Sequence, residues 1–106
     1  MKKGDIVLIP FPFTELTGIK NRPALILAET ENDITVAFIT TQIKWEEKFD
    51  LKVVPTQDNG LKKTSIIRLS KLITLNKDLV LGRLGTLTMA ELTKVNKNLI
   101  ELLRLT

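Results

Sequence analysis

The chain has 106 residues, a formal charge of +4, and 43% apolar and 26% charged side chains, a balance that is typical of one globular domain. It contains neither histidine nor cysteine, which excludes disulfides, thiolate metal sites and the commonest catalytic side chains. No apolar run is long enough for a membrane span or a signal peptide. We therefore expect a single cytoplasmic domain over residues 1–106.

The first half of the chain predicts three strands. Residues 6–10 (IVLIP) are a continuous apolar run, typical of a strand buried on both faces, and Pro10 and Pro12 should end it because proline cannot donate to a ladder. Residues 13–21 are then predicted to form a loop, long enough to be a candidate functional loop. Two further strands are expected at 23–28 and 34–40, and the polar turn between them indicates a hairpin.

The second half adds shorter strands and a helix. Residues 49–54 alternate like a half-exposed strand, 57–60 (QDNG) are a turn signal, 64–74 predict a long strand that bends, and 80–84 a short one. At the end of the chain the apolar spacing becomes helical. Thr88 and Glu91 match a capping box, and the residues that follow predict an amphipathic helix lying on the sheet.

This element order predicts a mainly β fold with a C-terminal helix. Five or six short strands and one terminal helix are typical of a small, strongly bent antiparallel sheet or barrel. The chain shows no internal repeat and no low-complexity segment.

Candidate site residues stand where two predicted strands begin and end. Arg22 precedes Pro23, which favours an extended backbone, so the guanidinium has a stiff base from which to present its fork of donors to a phosphate. An ordinary arginine at a barrel rim is the alternative. The third strand ends in Thr40, Thr41 and Gln42, whose hydroxyl and amide groups suit phosphate oxygens and base edges. Threonine is also common in strands for its propensity alone, so the residues by themselves leave both interpretations open.

Five short motifs follow one another along the chain: GDIV at 4–7, KNRP at 20–23, ITTQ at 39–42, GLKKTS at 60–65 and LTMAELTKVN at 87–96. The whole chain resembles the MazF/PemK toxins in the order and spacing of these motifs and in its length. The resemblance implies an SH3-like barrel of the MazF/PemK/CcdB toxin type. It also implies a homodimeric, metal-independent endoribonuclease of single-stranded RNA that needs no cofactor. The implied partners are an acidic antitoxin and, for the toxin–antitoxin complex, operator DNA.

The resemblance assigns two catalytic residues. The arginine of the family's Arg-Pro step falls on Arg22, and the threonine of its Ile-Thr element falls on Thr40. The loop at 13–21 matches the loop that borders the family's site. The chain departs from some members by offering Ser70 and Lys71 where they carry a carboxylate or an arginine.

Metal-independent cleavage implies attack by the ribose 2′-hydroxyl on its own phosphate, which leaves a 2′,3′-cyclic phosphate and a 5′-hydroxyl. An enzyme of this kind supplies no nucleophile, and a fixed arginine with a hydroxyl donor suits the charge that develops. Glu15 is a candidate base, its alternative being a solvated loop carboxylate. The residues expected to bind substrate are Glu15, Lys20, Thr41, Gln42, Ser70 and Lys71.

The segment after the third strand is charged around a single tryptophan. Lys44 and Lys48 are candidate contacts to the RNA backbone, although lysines in such a segment are more often solvated surface charges. Trp45 can stack on a base, with core packing or a dimer contact as alternatives. The acidic residues nearby are spread along a loop, so we expect no metal site.

Two other functions remain open at this stage. One is a CcdB-like protein that poisons gyrase, although such proteins end in a tryptophan-bearing tail and this chain ends in LLRLT. The other is an RNA-binding barrel without catalytic activity, which the substituted Ser70 and Lys71 positions allow.

Overall fold

The strands of this chain form one curled antiparallel sheet, with a helix packed on one of its faces. In a computed structural model, which describes residues 1–12 and 19–106, six strands pair in the order β4-β5-β3-β2-β1-β6. The elements are β1 (Asp5–Pro12), β2 (Ile19–Glu29), β3 (Asp33–Thr40), β4 (Leu51–Val53), β5 (Ser65–Asn76), β6 (Gly82–Thr86) and α1 (Met89–Leu103). The predicted mainly β fold with a C-terminal helix is confirmed.

Both faces of the central strands are buried, as the continuous apolar run of β1 predicts. Successive side chains of a strand point to opposite faces, and Ile6 and Val7 accordingly belong to two different buried clusters. The first cluster contains Val95 of α1, so it lies between the sheet and the helix. The second cluster, built from β1, β2 and β3 around Ile26 and Val36, fills the opposite face.

The predicted bend in the long strand lies in the middle of β5. Phe38 of β3 pairs with Arg68, whereas its neighbour Ala37 pairs with Leu72, so residues 69–71 have no opposite residue in β3. Extra residues of this kind bend the strand and increase its twist. The bulge is therefore the place where the sheet curls.

The structure corrects the predicted end of β1 and the extent of the first loop. β1 continues through Pro12, and Pro10 and Pro12 pair with Asn21 and Ile19. Beyond Leu8, however, β6 no longer pairs with β1, so the prolines occupy a stretch with a strand on one side only, where a missing donor is tolerated. Residues 19–21 thus belong to β2 and not to the predicted loop.

Other boundaries shift by a few residues. The half-exposed strand predicted at 49–54 is confined to β4, Leu51–Val53, and the strand predicted at 80–84 is observed at Gly82–Thr86. The predicted hairpin between β2 and β3 is confirmed.

Two local predictions are confirmed in detail. Thr88 caps α1: its hydroxyl accepts from the amide N–H of Glu91, while the Glu91 carboxylate accepts from the amide of Thr88. The turn at 57–60 holds a buried Asn59, and Gly60 has a positive φ of 70°. A Cβ on Gly60 would lie 2.1 Å from the carbonyl oxygen of Leu84, so only glycine fits beneath β6 at this point.

Candidate functional site

A cleft of about 490 Å³ opens beside the bulge, between β2, β3, β5 and the segment that follows β3. Its lining combines cationic, amide, hydroxyl and large apolar groups. The lining residues are Arg22, Phe38, Ile39, Thr40, Gln42, Trp45, Arg68, Lys71, Leu72 and Ile73.

The strand alternation explains why distant residues meet in this cleft. Arg22 stands two residues before Ala24, and Thr40 two residues after Phe38, so each continues one face of its own strand. Ala24 pairs with Phe38, and Phe38 pairs with Arg68 of β5. The side chains at these positions share one face of the sheet, at the end of the second apolar cluster.

Arg22 lies within β2, not immediately before it as the sequence suggested. It pairs with Ile9 of β1 and is half-buried. The β3 ladder begins only at Ala24, so Pro23 sits where β2 has one neighbour, and its missing N–H is tolerated. A paired strand with a following proline gives Arg22 the stiff base that the sequence predicted.

Thr40 is the last residue of β3 and lines the cleft from its end. Its hydroxyl accepts a hydrogen bond of 3.1 Å from the backbone N–H of Gln42. Because a hydroxyl also carries one donor, Thr40 can still donate its proton to another group while it accepts from Gln42. The bond fixes Thr40 and the start of the next segment together.

Arg68 is a cation that the sequence prediction missed. Its side chain is 11% exposed, and its Nε lies 2.9 Å from Oδ2 of Asp50, which is fully buried. Its Nη2 donates to Oε1 of Glu47, a carboxylate that is 59% exposed. The available signal was an arginine within a strand whose neighbouring residues are apolar. Its two acidic partners lie about 20 positions earlier in the chain, and a buried charge is tolerated only when it is paired.

The remaining walls supply one more cation and an apolar surface. The bulge places Lys71 on the cleft, next to Leu72 and Ile73. Trp45 lines the same cleft from a short 3₁₀ turn and is 53% exposed. Its exposure removes the alternative that Trp45 packs in the core.

Several predicted site residues lie elsewhere. Lys20, Thr41 and Ser70 are exposed and stand outside the lining of the cleft as far as the described chain shows it. Glu15 lies outside the described residues. Arg22, Thr40, Gln42 and Lys71 are the predicted residues that the structure brings together.

The two lysines near Trp45 lie outside the lining of the cleft in the described part of the chain. Lys48 approaches Glu101 of α1 at 3.9 Å and lies 5.3 Å from the centre of the Phe49 ring, so it faces the helix. Lys44 is exposed on the short turn and does not contribute to the lining.

Acidic residues do not form a metal-binding cluster in the ranges 1–12 and 19–106. Within these ranges there is no group of three or more histidine, cysteine, aspartate or glutamate side chains placed to share an ion. Asp50 and Glu47 are instead directed at Arg68. A helix long and apolar enough to cross a membrane is likewise not found in the described part of the chain.

Comparison with known proteins identifies a family and solved structures that this chain resembles. Residues 2–103 match the family model described as PemK-like, MazF-like toxin of type II toxin-antitoxin system. No curated protein matches the chain.

Solved structures share the fold along nearly the whole chain. A mycobacterial endoribonuclease in complex with its cognate antitoxin superposes with a TM-score of 0.76 at 21% identity, covering 100% of this chain and 97% of the other. MazF from Deinococcus radiodurans gives 0.75 at 19% identity, with 98% and 96% covered. The Mycobacterium tuberculosis toxin MazF-mt6 gives 0.72 at 19% identity, with 92% and 96% covered.

Proposed function

The chain belongs to the PemK-like, MazF-like toxins of type II toxin–antitoxin systems, and from this premise we propose that it is an endoribonuclease that cleaves single-stranded RNA. The observation that carries the proposal is the composition of the cleft, where Arg22, Arg68 and Lys71 stand beside Trp45 and an apolar wall. Cations hold the phosphates of a single strand while an aromatic ring stacks on its bases. The cleft offers both within one cavity.

The proposed reaction needs no nucleophile from the protein. The ribose 2′-oxygen bonds to the adjacent phosphorus and gives up its proton, while the bond from phosphorus to the 5′-oxygen breaks and that oxygen takes up a proton. The products are a 2′,3′-cyclic phosphate and a 5′-hydroxyl. The RNA thus supplies both the nucleophile and the leaving group, and only protons are exchanged. Such a reaction suits a cleft without histidine or cysteine.

Arg22 and Thr40 are the proposed catalytic residues. Negative charge grows on the nonbridging oxygens in the transition state, and preorganised donors beside that charge are each worth about 10²–10³ in rate. Arg22 supplies a charged fork from a paired strand, and Thr40 supplies a hydroxyl whose oxygen accepts from the Gln42 N–H. Arg68 adds a second charged fork in the same cleft.

Substrate binding extends beyond these residues. We assign Gln42 to a base edge, Trp45 to base stacking and Lys71 to a neighbouring phosphate, because all three line the cleft. Lys20, Thr41 and Ser70 are exposed outside it and remain proposed contacts to the flanking nucleotides. Glu15 remains a proposed base.

We also propose binding partners and a cellular location for this protein. Residues 1–106 act as one toxin domain in the cytoplasm, where mRNA is available, and form a homodimer. An acidic antitoxin is complementary in charge to this chain, whose formal charge is +4, and opposite charges favour association. One structural relative is an endoribonuclease in complex with its cognate antitoxin. The toxin–antitoxin complex, in turn, is the proposed ligand of operator DNA.

The experiment that tests the proposed function uses a mixed RNA pool with EDTA present, followed by sequencing and chemical analysis of the new ends. We expect cyclic-phosphate and 5′-hydroxyl ends with the unaltered protein and their loss with Arg22→Ala. Lys94→Ala, which removes an exposed positive charge from α1, is the matched control and should cleave normally. RNA that is bound but left intact would favour a non-catalytic barrel, and intact RNA with stalled gyrase would favour a gyrase poison.

A further inference from the structure

Arg68 differs from an ordinary phosphate clamp because two carboxylates already contact its guanidinium. Nε faces Asp50 at 2.9 Å, and Nη2 donates to Glu47. The group is flat, with five N–H donors in fixed directions, so each carboxylate occupies donors that a bound phosphate would need. One cation therefore stands against two anions at the wall of a cleft proposed to bind a polyanion.

The two carboxylates are held very differently. Asp50 is fully buried, and its Oδ2 also accepts a 2.9 Å hydrogen bond from the backbone N–H of Glu47. It precedes β4, whose first residue Leu51 pairs with Ile67, so Asp50 stands across from Arg68 in the same ladder. Breaking a buried pair leaves an uncompensated charge and is costly. Asp50 is therefore the fixed partner of Arg68.

Glu47 is the replaceable partner. Its side chain is 59% exposed, and ion pairs with an exposed member contribute little net free energy because water and salt compete for both groups. An RNA phosphodiester offers Arg68 the same kind of acceptor, with one negative charge shared between two oxygens in a matching geometry. An RNA phosphate can take the place of the Glu47 carboxylate without disturbing Asp50.

We propose that Glu47 occupies the position on Arg68 that an RNA phosphate takes, so that substrate binding exchanges Glu47 for phosphate while Asp50 holds the guanidinium in place. Glu47 is then an internal competitor that sets the affinity of the cleft for its anion. Asp50 is a positioning residue that acts through Arg68. The inference rests on the proposed function for the identity of the anion as an RNA phosphate, and the exchange itself is measurable without cleavage.

The structure supplies its own reporter for this exchange. Trp45 is the single tryptophan of the chain, it lines the same cleft, and it stands two residues before Glu47 on the segment that the ion pair ties to β5. Displacement of Glu47 changes the surroundings of Trp45. Its fluorescence therefore reports phosphate binding in the cleft itself.

The test titrates inorganic phosphate, at constant ionic strength, and then a non-cleavable 2′-O-methyl RNA oligonucleotide into three forms of the full chain. These forms are the unaltered protein, Glu47→Gln and Glu46→Gln. We expect Glu47→Gln to bind phosphate about two- to fivefold more tightly, since it removes the competing ion pair. Glu46→Gln is the matched control: it removes the same charge from the neighbouring exposed position, and the ion pairs found among the described residues do not include it.

Each outcome decides the question. Tighter binding by Glu47→Gln alone supports the exchange, and it does so even if the protein cuts no RNA, in which case the proposed function fails by itself. Equal affinities for Glu47→Gln and Glu46→Gln, or no Trp45 response in any form, overturn the exchange. If RNA is still cleaved under those results, the proposed function stands without it.

Discussion

The two faces of the central sheet are built from the same alternating strands, but the side chains at their ends differ in polarity. On the face covered by α1, Leu25, Leu69 and Val95 belong to an apolar cluster between the sheet and the helix. On the other face the apolar positions run through Ala24 and Phe38 and then give way to polar side chains beside the bulge. One face therefore mainly stabilises the fold, whereas the other also lends its last positions to the cleft.

That division predicts that changes in the cleft alter activity and leave stability nearly unchanged. The largest effect is expected for Thr40→Val, which keeps the shape and removes the hydroxyl. Loss of one preorganised donor should lower the cleavage rate about 10²–10³-fold. Single-turnover kinetics on one RNA substrate measure it.

Thr40→Ser is the control for this prediction, because it restores the hydroxyl at the same position. It should recover most of the lost rate, and both variants should melt close to the unaltered protein. A valine variant that cleaves at the normal rate would remove Thr40 from the site.

On the face covered by α1 we expect the opposite, namely that a substitution lowers stability and leaves cleavage unchanged. Val95 is the buried residue of α1, and Val95→Ala removes two methyl groups from the cluster and leaves a cavity. We expect the free energy of unfolding to fall by about 1.5–3 kcal/mol, measured by urea titration. Cleavage per folded molecule should remain unchanged, and a selective loss of rate at full folding would show that the two faces are coupled.

A smaller loss of stability is expected at the start of the same helix. Thr88→Ala removes the side-chain bond to the Glu91 N–H and should cost about 1 kcal/mol. Thr88→Ser keeps the acceptor and is the matched control. Thermal melts of the two variants, compared at equal concentration, separate the cap from a general effect of substitution.

The smallest effect is expected for Lys71→Ala at the rim of the cleft. Removing one phosphate contact should lower the slope of log affinity against log salt by about 0.7 for a single strand. Lys63→Ala, an exposed lysine in the turn before β5, should leave the slope unchanged. Fluorescence titrations with a non-cleavable oligonucleotide at several salt concentrations give both slopes.

Local features of the fold were predictable from the sequence because neighbouring residues determine them. The capping box at Thr88 and Glu91 and the turn before Gly60 were read correctly. The end of β1 was not, because the tolerance of Pro10 and Pro12 depends on how far β6 extends along β1, which is information from the far end of the chain.

The candidate site shows the same limit. Arg22 and Thr40 were found from their positions at strand ends and from a family resemblance. Arg68 was missed because it looks like part of an apolar strand until Asp50 and Glu47 are seen beside it. Lys71 enters the cleft, and Ser70 does not, because of a three-residue bulge whose register the sequence does not specify.

We propose that this cleft cuts RNA by using the substrate's own 2′-hydroxyl. The most direct test compares one RNA oligonucleotide that is cleaved at a known phosphate with the same oligonucleotide carrying a single 2′-deoxy nucleotide on the 5′ side of that phosphate. We predict that cleavage at that position disappears, while binding measured by Trp45 fluorescence persists. Cleavage of the deoxy substrate at the same phosphate would contradict the account, because another nucleophile would then be at work.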